Sequence, residues 1–96
     1  MTKHRITVVV KQVHIAEGVR GDPYYCPLTH ALEDATGQWG NCWVGLCSAS
    51  VTIPGEHMFL ATLPEEARQW NSDFDAGVPV EPAAFTLEFS EREGGD

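Results

Sequence analysis

Pro27-Leu28-Thr29-His30-Ala31-Leu32-Glu33-Asp34-Ala35-Thr36 is the stretch that decides the fold, and Gly37 closes it. Leu28, Ala31, Leu32 and Ala35 stand at i, i+3, i+4 and i+7, one apolar face of a helix. Pro27 suits the first helical position, where a missing N–H costs nothing. Gly37 can take the left-handed conformation that ends a helix. A helix is therefore predicted over 27–36, set in chain that otherwise reads mostly as extended.

Upstream, His4 to Val10 is β-branched and predicts a strand, and Val8-Val9-Val10 suggests a central one with both faces covered. Lys11 to Gly18, with Val13 and Ile15, predicts a short helical turn, and Gly21-Asp22-Pro23 a loop. Downstream, Gln38 to Asn41 is a loop carrying Trp39. Cys42 to Leu46 reads as a strand weakened or bulged at Gly45. Ser48-Ala49-Ser50 reads as a break or a second bulge. Val51 to Ile53, the turn Pro54-Gly55 and a returning strand from His57 to Ala61 make a hairpin, or one long bent strand paired with a shorter one. Thr62 and Glu65 have the spacing of a capping box. They open a second helix with Pro64, Glu65 and Glu66 in its first turn, Ala67, Trp70 and Phe74 as its inward stripe, and Gly77 at its end. Pro79 and Pro82 exclude a central strand over 78–82. Ala84 to Phe89 alternates, with Phe85, Leu87 and Phe89 on one face.

The order strand, helix, hairpin, helix, strand predicts an α+β two-layer sandwich, with two helices on one face of a mainly antiparallel sheet. Its βαββαβ order matches a ferredoxin-like topology, with a ubiquitin-like roll as the alternative. One domain is expected over 1–90, and 91–96 as an acidic flexible tail. The sheet's other face would be open. Trp43, Val51 or Phe59 exposed there would mark an oligomer or partner interface.

The chain has 96 residues, 14 acids against 6 Lys and Arg, and net charge −8. In residues 1–48 the acids Glu17, Asp22, Glu33 and Asp34 balance Lys3, Arg5, Lys11 and Arg20, so the whole excess falls in 49–96, whose only bases are Arg68 and Arg92. A field of that sign repels phosphate backbones and anionic membrane surfaces, and steers basic partners inward. Direct nucleic-acid binding and membrane association are therefore not expected. No apolar run approaches the roughly 20 residues of a membrane span. The stretch Ile6 to Val10 is too short for a signal-peptide core. Three cysteines, Cys26, Cys42 and Cys47, cannot close a disulfide framework, which fits a reducing compartment. A cytoplasmic location is the expectation, that of the host cell if the chain is phage-encoded.

The sharpest chemical constellation is Cys26-x3-His30 with Cys42-x4-Cys47, a Cys3His set suited in ligand type to tetrahedral zinc. Cys26 and His30 are one helical turn apart, on the face opposite Leu28 and Leu32. Against zinc, Cys42 and Cys47 would lie about 16 Å apart along a strand unless the chain turns between them. Free cysteine commonly serves as a small buried hydrophobe, so no metal and no cofactor is expected. Cys26 and His30 could form a nucleophile pair, yet no orienting residue or oxyanion hole accompanies them. Glu65, Glu66, Asp73 and Asp75 could be paired carboxylates. The helix dipole explains the first two, whereas Asp73 and Asp75 near a helix C-terminus suit a contact role. His14 and His57 read as surface or core residues. No phosphate loop, nucleophile elbow, zincin motif or calcium loop is present. Trp70 reads as core and Trp39 as an exposed anchor. The interface candidates are Trp39, Trp43, Asp73, Asp75, Glu65 and Glu66; catalytic candidates are none.

Ile6-Thr7-Val8 with His14-Ile15 and Gly18, Cys26-Pro27-Leu28 with Ala31-Leu32, Leu63-Pro64 with Trp70 and Phe74-Asp75-Ala76-Gly77, and Val80 and Pro82 with Phe85 together resemble a group of small uncharacterised proteins of actinobacteria and their phages. The resemblance spans about residues 6 to 89. Its most specific part is Cys-Pro-x-x-x-Ala-Leu combined with Phe-Asp-x-Gly. It implies a phage or prophage setting and a recurrent cysteine at Cys26, with no activity to carry over. The combined expectation is a small acidic non-enzymatic protein that binds a host or phage protein, occluding a basic surface. A homodimeric or larger accessory protein is the first alternative, and a small-ligand binder or enzyme with an unrecognised site the second.

Overall fold

The computed structural model describes residues 3–22, 24–53, 55 and 58–92. Pro23, Pro54, His57 and residues 93–96 of the expected tail lie outside the described residues, whereas Glu91 and Arg92, expected in that tail, continue the last strand. The elements are β1 (Lys3–Val10), α1 (Gln12–Glu17), α2 (Pro27–Thr36), β2 (Cys42–Val44), β3 (Ser48–Thr52), β4 (Met58–Thr62), α3 (Glu65–Asp75) and β5 (Ala83–Arg92).

The sheet has five strands in the order β1-β5-β4-β3-β2, antiparallel at every described pairing, and it curls into a half-barrel. This corrects the predicted two-helix ferredoxin-like sandwich, and the ubiquitin-like roll with it. Both require β1 beside a parallel neighbour. Here β1 is an edge strand, pairing antiparallel with β5 from Lys3↔Ser90 to Val10↔Ala83. The long β1–β5 ribbon meets the β2–β3–β4 meander through only Met58↔Arg92, Phe59↔Glu91 and Leu60↔Ser90, and that short seam leaves the sheet free to curl.

The valine run follows from the edge position. Val8 and Val10 are fully buried and Val9 is 50% exposed, so β1 alternates as a strand with one covered face. Its outer face carries a Thr7–Thr86 hydroxyl pair and an Arg5–Glu88 ion pair at 3.4 Å. The extra strand comes from dividing 42–52 differently. Residues 45–47 form the turn, with Gly45 N–H donating to Ser48 O at 2.8 Å. The serine-containing segment is itself strand, paired on both sides. Small side chains serve there: Ala49 is wholly buried opposite Val44 and Ala61. Val51 is buried and Trp43 and Phe59 are half-buried, so none of the three residues considered for an open sheet face is exposed.

The core gathers Val8, Val10, Phe85, Leu87 and Phe89 of the ribbon with Leu28, Ala31 and Leu32 of α2 and Ala67 of α3. Helix α2 begins with Pro27 at its first position and ends at Gly37, whose φ is 73° and whose N–H donates to Glu33 O, as the sequence predicts. Its inward face differs in part: Ala35 is exposed, and Thr29 and Glu33 are buried instead. Helix α3 starts after Pro64, with no side-chain cap; Thr62 is the last residue of β4, which removes the predicted capping box. Trp70 rests on Phe85 with ring centroids 6.1 Å apart, and its indole N–H donates to Glu81 O at 2.9 Å. No helix among the described residues is long and apolar enough to cross a membrane.

Candidate functional site

The structure disperses the cysteine–histidine constellation. Cys26 is the buried N-cap of α2, its Sγ 3.1 Å from Thr29 Oγ1. Cys42 is buried on β2, its Sγ 3.5 Å from Gln38 O. Cys47 is exposed in the β2–β3 turn. His30 faces Glu33, at 3.4 Å, and Tyr25. Among the described residues no three His, Cys, Asp or Glu side chains converge as a metal-binding group. Burial pushes the Cys26 thiol up from its usual range against the pull of the Thr29 hydrogen bonds, and Asp75's charge adds to the rise. Burial likewise pushes Cys42 up. A thiol held protonated is a poor nucleophile, so the Cys26–His30 pair lacks activating geometry.

A tighter histidine–carboxylate pair than His30–Glu33 joins His14 to Asp34, and the sequence reading did not single it out. His14 is buried, and its Nδ1 accepts the Lys11 backbone N–H at 2.9 Å. Nε2 therefore carries the proton and donates to Asp34 Oδ2. Both ring nitrogens are committed, one to capping the first turn of α1 from within and one to tying α1 to α2. No ring nitrogen is left to take a substrate proton, so the pair is a structural tie.

A cleft of about 540 Å³ lies between the β2–β3 turn, the loop before α2 and the last turns of α3. Two strands and two helices position it. The loop is closed on itself: Val19 N–H donates to Tyr25 O at 2.8 Å, and Asp22 Oδ1 accepts Tyr24 N–H at 3.0 Å. Asp75 Oδ1 accepts Gly21 N–H at 2.9 Å and fastens that loop to α3. Trp43, Val44 and Leu46 supply an apolar wall, with Leu46 83% exposed at its rim. Trp43's indole lies over Gly45 so closely that a Cβ there would sit 2.2 Å from the ring. Cys26, Cys47, Ser48 and Asn71 also line it.

Asn71 is the unusual member. It occupies the inward stripe of α3 with Ala67 and Phe74 and is only 4% exposed. Its side-chain Oδ1 is the one buried side-chain oxygen or nitrogen among the described residues with no hydrogen-bond partner. Buried polar atoms are nearly always paired, and an unpaired acceptor costs about 1–3 kcal/mol. Two acidic side chains, Asp22 and Asp75, line the same cleft, and none of its lining residues is basic.

The sequence candidates thus divide. Trp43, Asp75, Cys26 and Cys47 come together at this cleft. Asp73 lies two residues earlier in the same last turn of α3 and does not line the cleft, its Oδ1 accepting the Gln69 amide at 2.9 Å. Glu65 and Glu66 are exposed in the first turn of α3. Trp39 is 61% exposed in its loop and lines no part of the cleft. Asn71 escapes an apolar-periodicity reading because it is polar. Its signal is positional, four residues after Ala67 and three before Phe74.

A second groove, of about 480 Å³, lies between the C-terminal end of α2 and the inner sheet face, with Ile6, Val51, Phe59 and Phe89 in its wall. It gathers no comparable set of unpaired polar groups. Compared with known protein families, with curated proteins and with solved structures, the chain matches none of them.

Proposed function

We propose that this chain is a small acidic non-enzymatic binding protein that docks a basic surface of a partner protein through the C-terminal end of α3. The observation that carries the reading is the placement of Asp73 and Asp75. Both stand in the last turn of α3, which contains no basic residue. The backbone dipole already makes that end negative, and a carboxylate there costs about 0.3–1 kcal/mol. Two such residues, one of them (Asp75) sharing a cleft with Asp22, raise a local negative potential that folding alone does not require. A cationic partner offsets it. In the phage or prophage setting that the resemblance implies, the partner is a host or phage protein.

The test is calorimetric titration with an arginine- and lysine-rich octapeptide and with its acidic counterpart. The basic peptide is expected to bind, and to weaken at least tenfold when ionic strength rises from about 0.05 to about 0.5 M, where screening shortens to a few ångströms. Asp73→Asn combined with Asp75→Asn should weaken it at low salt. Equal binding of both peptides, or binding indifferent to salt, overturns the reading.

A further inference from the structure

We propose that the cleft beside α3 takes one basic side chain, lysine or arginine, from the bound partner, with Asn71 Oδ1 as an acceptor at its floor; this rests on the docking reading above. Asn71 as a residue is only 4% exposed, and its amide oxygen finds no donor within the fold, so it stands ready for one brought from outside. The charge of that donor follows from its surroundings. Asp22 and Asp75 each spend one carboxylate oxygen on a backbone N–H and keep a second. The C-terminal end of α3 adds its negative pole. No lining side chain brings a positive charge to meet them. Arg20, whose guanidinium lies beside Gly77 past the end of α3, is not among the lining residues.

The shape agrees with a long side chain. Val44, Leu46 and the indole of Trp43 offer apolar wall for methylene groups, and Asp22, Asp75 and Asn71 line the same cleft. A volume of about 540 Å³ falls within the range of small-ligand sites, roughly 300–1,000 Å³. A bare divalent ion does not fit the same groups, because no three His, Cys, Asp or Glu side chains among the described residues converge.

The experiment uses the full chain labelled with ¹⁵N and three probes: N-acetyl-arginine amide, N-acetyl-lysine amide and the neutral N-acetyl-citrulline amide. Either cationic probe should move the Asn71 side-chain amide and Trp43 indole signals saturably, and citrulline should not over the same range. Asn71→Leu, of similar size and without the acceptor, should weaken the cationic probe about tenfold or more. Asn71→Asp should tighten it. Equal shifts from citrulline, no shifts at all, or unchanged affinity in Asn71→Leu overturns the assignment. If Asn71→Leu still binds the basic octapeptide with full salt dependence and undiminished strength, the cleft assignment fails and the docking reading stands. If the cationic probes titrate but the octapeptide does not bind, the docking reading fails and the cleft chemistry stands.

Discussion

Helices α2 and α3 both turn a polar residue inward, and they treat it differently. On α2, Glu33 is buried with Oε2 accepting Gly40 N–H at 2.7 Å and Oε1 facing His30. Thr29 is paired to the Cys26 thiol, and Asp34 to His14. On α3, Asn71 is as deeply buried and its oxygen has no partner. The ends differ too. The end of α2 is closed by Gly37 and by the loop that Glu33 holds, whereas α3 ends on Asp73 and Asp75 at its negative pole. The inward polar groups of α2 are paired within the fold, whereas Asn71 Oδ1 on α3 is not. Unspent hydrogen-bonding capacity and misplaced charge on one helix, beside a cleft, are the grounds for proposing that helix as the binding one.

The comparison breaks most visibly on the α2 side. Glu33→Ala leaves the Gly40 N–H without its acceptor and opens space under the loop, and should cost about 2–3 kcal/mol in urea unfolding. A loss below about 0.5 kcal/mol would mean that Glu33 is no more needed than Asn71. Next comes Gly18→Ala, which tests how α2 is seated. A Cβ at Gly18 would stand 2.5 Å from the Pro27 ring, so overpacking should lower stability by about 1–3 kcal/mol and shift backbone signals at the start of α2. Cleft probes should bind the variant as they bind the parent chain, unless the Cys26 end of the cleft moves with Pro27.

The thiols sharpen the same contrast with a smaller effect. Cys26 and Cys42 are pushed up by burial in the folded chain. Their protonated forms are therefore favoured by folding. That contribution is fully present below the unfolded thiol value, about 8.5, and is lost as pH rises through the higher folded values. Stability should fall above about pH 8.5, and less steeply in Cys42→Ala than in the parent. In the folded protein a thiol reagent should modify the exposed Cys47 first, with Cys26 and Cys42 following only on unfolding. Simultaneous modification of all three would contradict their burial.

The helices were largely legible in the sequence because their signals are local. Pro27 and Gly37 bound α2, Gly77 ends α3, and Phe85, Leu87 and Phe89 alternate as a half-buried strand must. The sheet was not legible, because pairing is set over long range. Nothing within Ile6 to Val10 says that its neighbour is β5, some eighty positions on, rather than a strand reached by a crossover. Gly45 is ambiguous for a physical reason: a glycine that weakens a strand and one that permits a turn look alike until the Trp43 ring above it is placed. At the site, charge made Asp73 and Asp75 visible and ring size made Trp43 visible. Asn71 was hidden, because an inward polar residue breaks the pattern used to find the inward face.

The central claim is that Asn71 keeps an unfilled acceptor in the fold for a cation to complete. The measurement that tests it most directly is the difference in unfolding free energy between the parent chain and Asn71→Leu, taken without and with N-acetyl-arginine amide. The account predicts that the leucine variant is more stable in buffer by about 1 kcal/mol. It also predicts that the gap narrows as the ligand is raised, because the parent binds it more tightly and so gains more stability from it. A leucine variant less stable than the parent, or a gap that the ligand leaves unchanged, would contradict it.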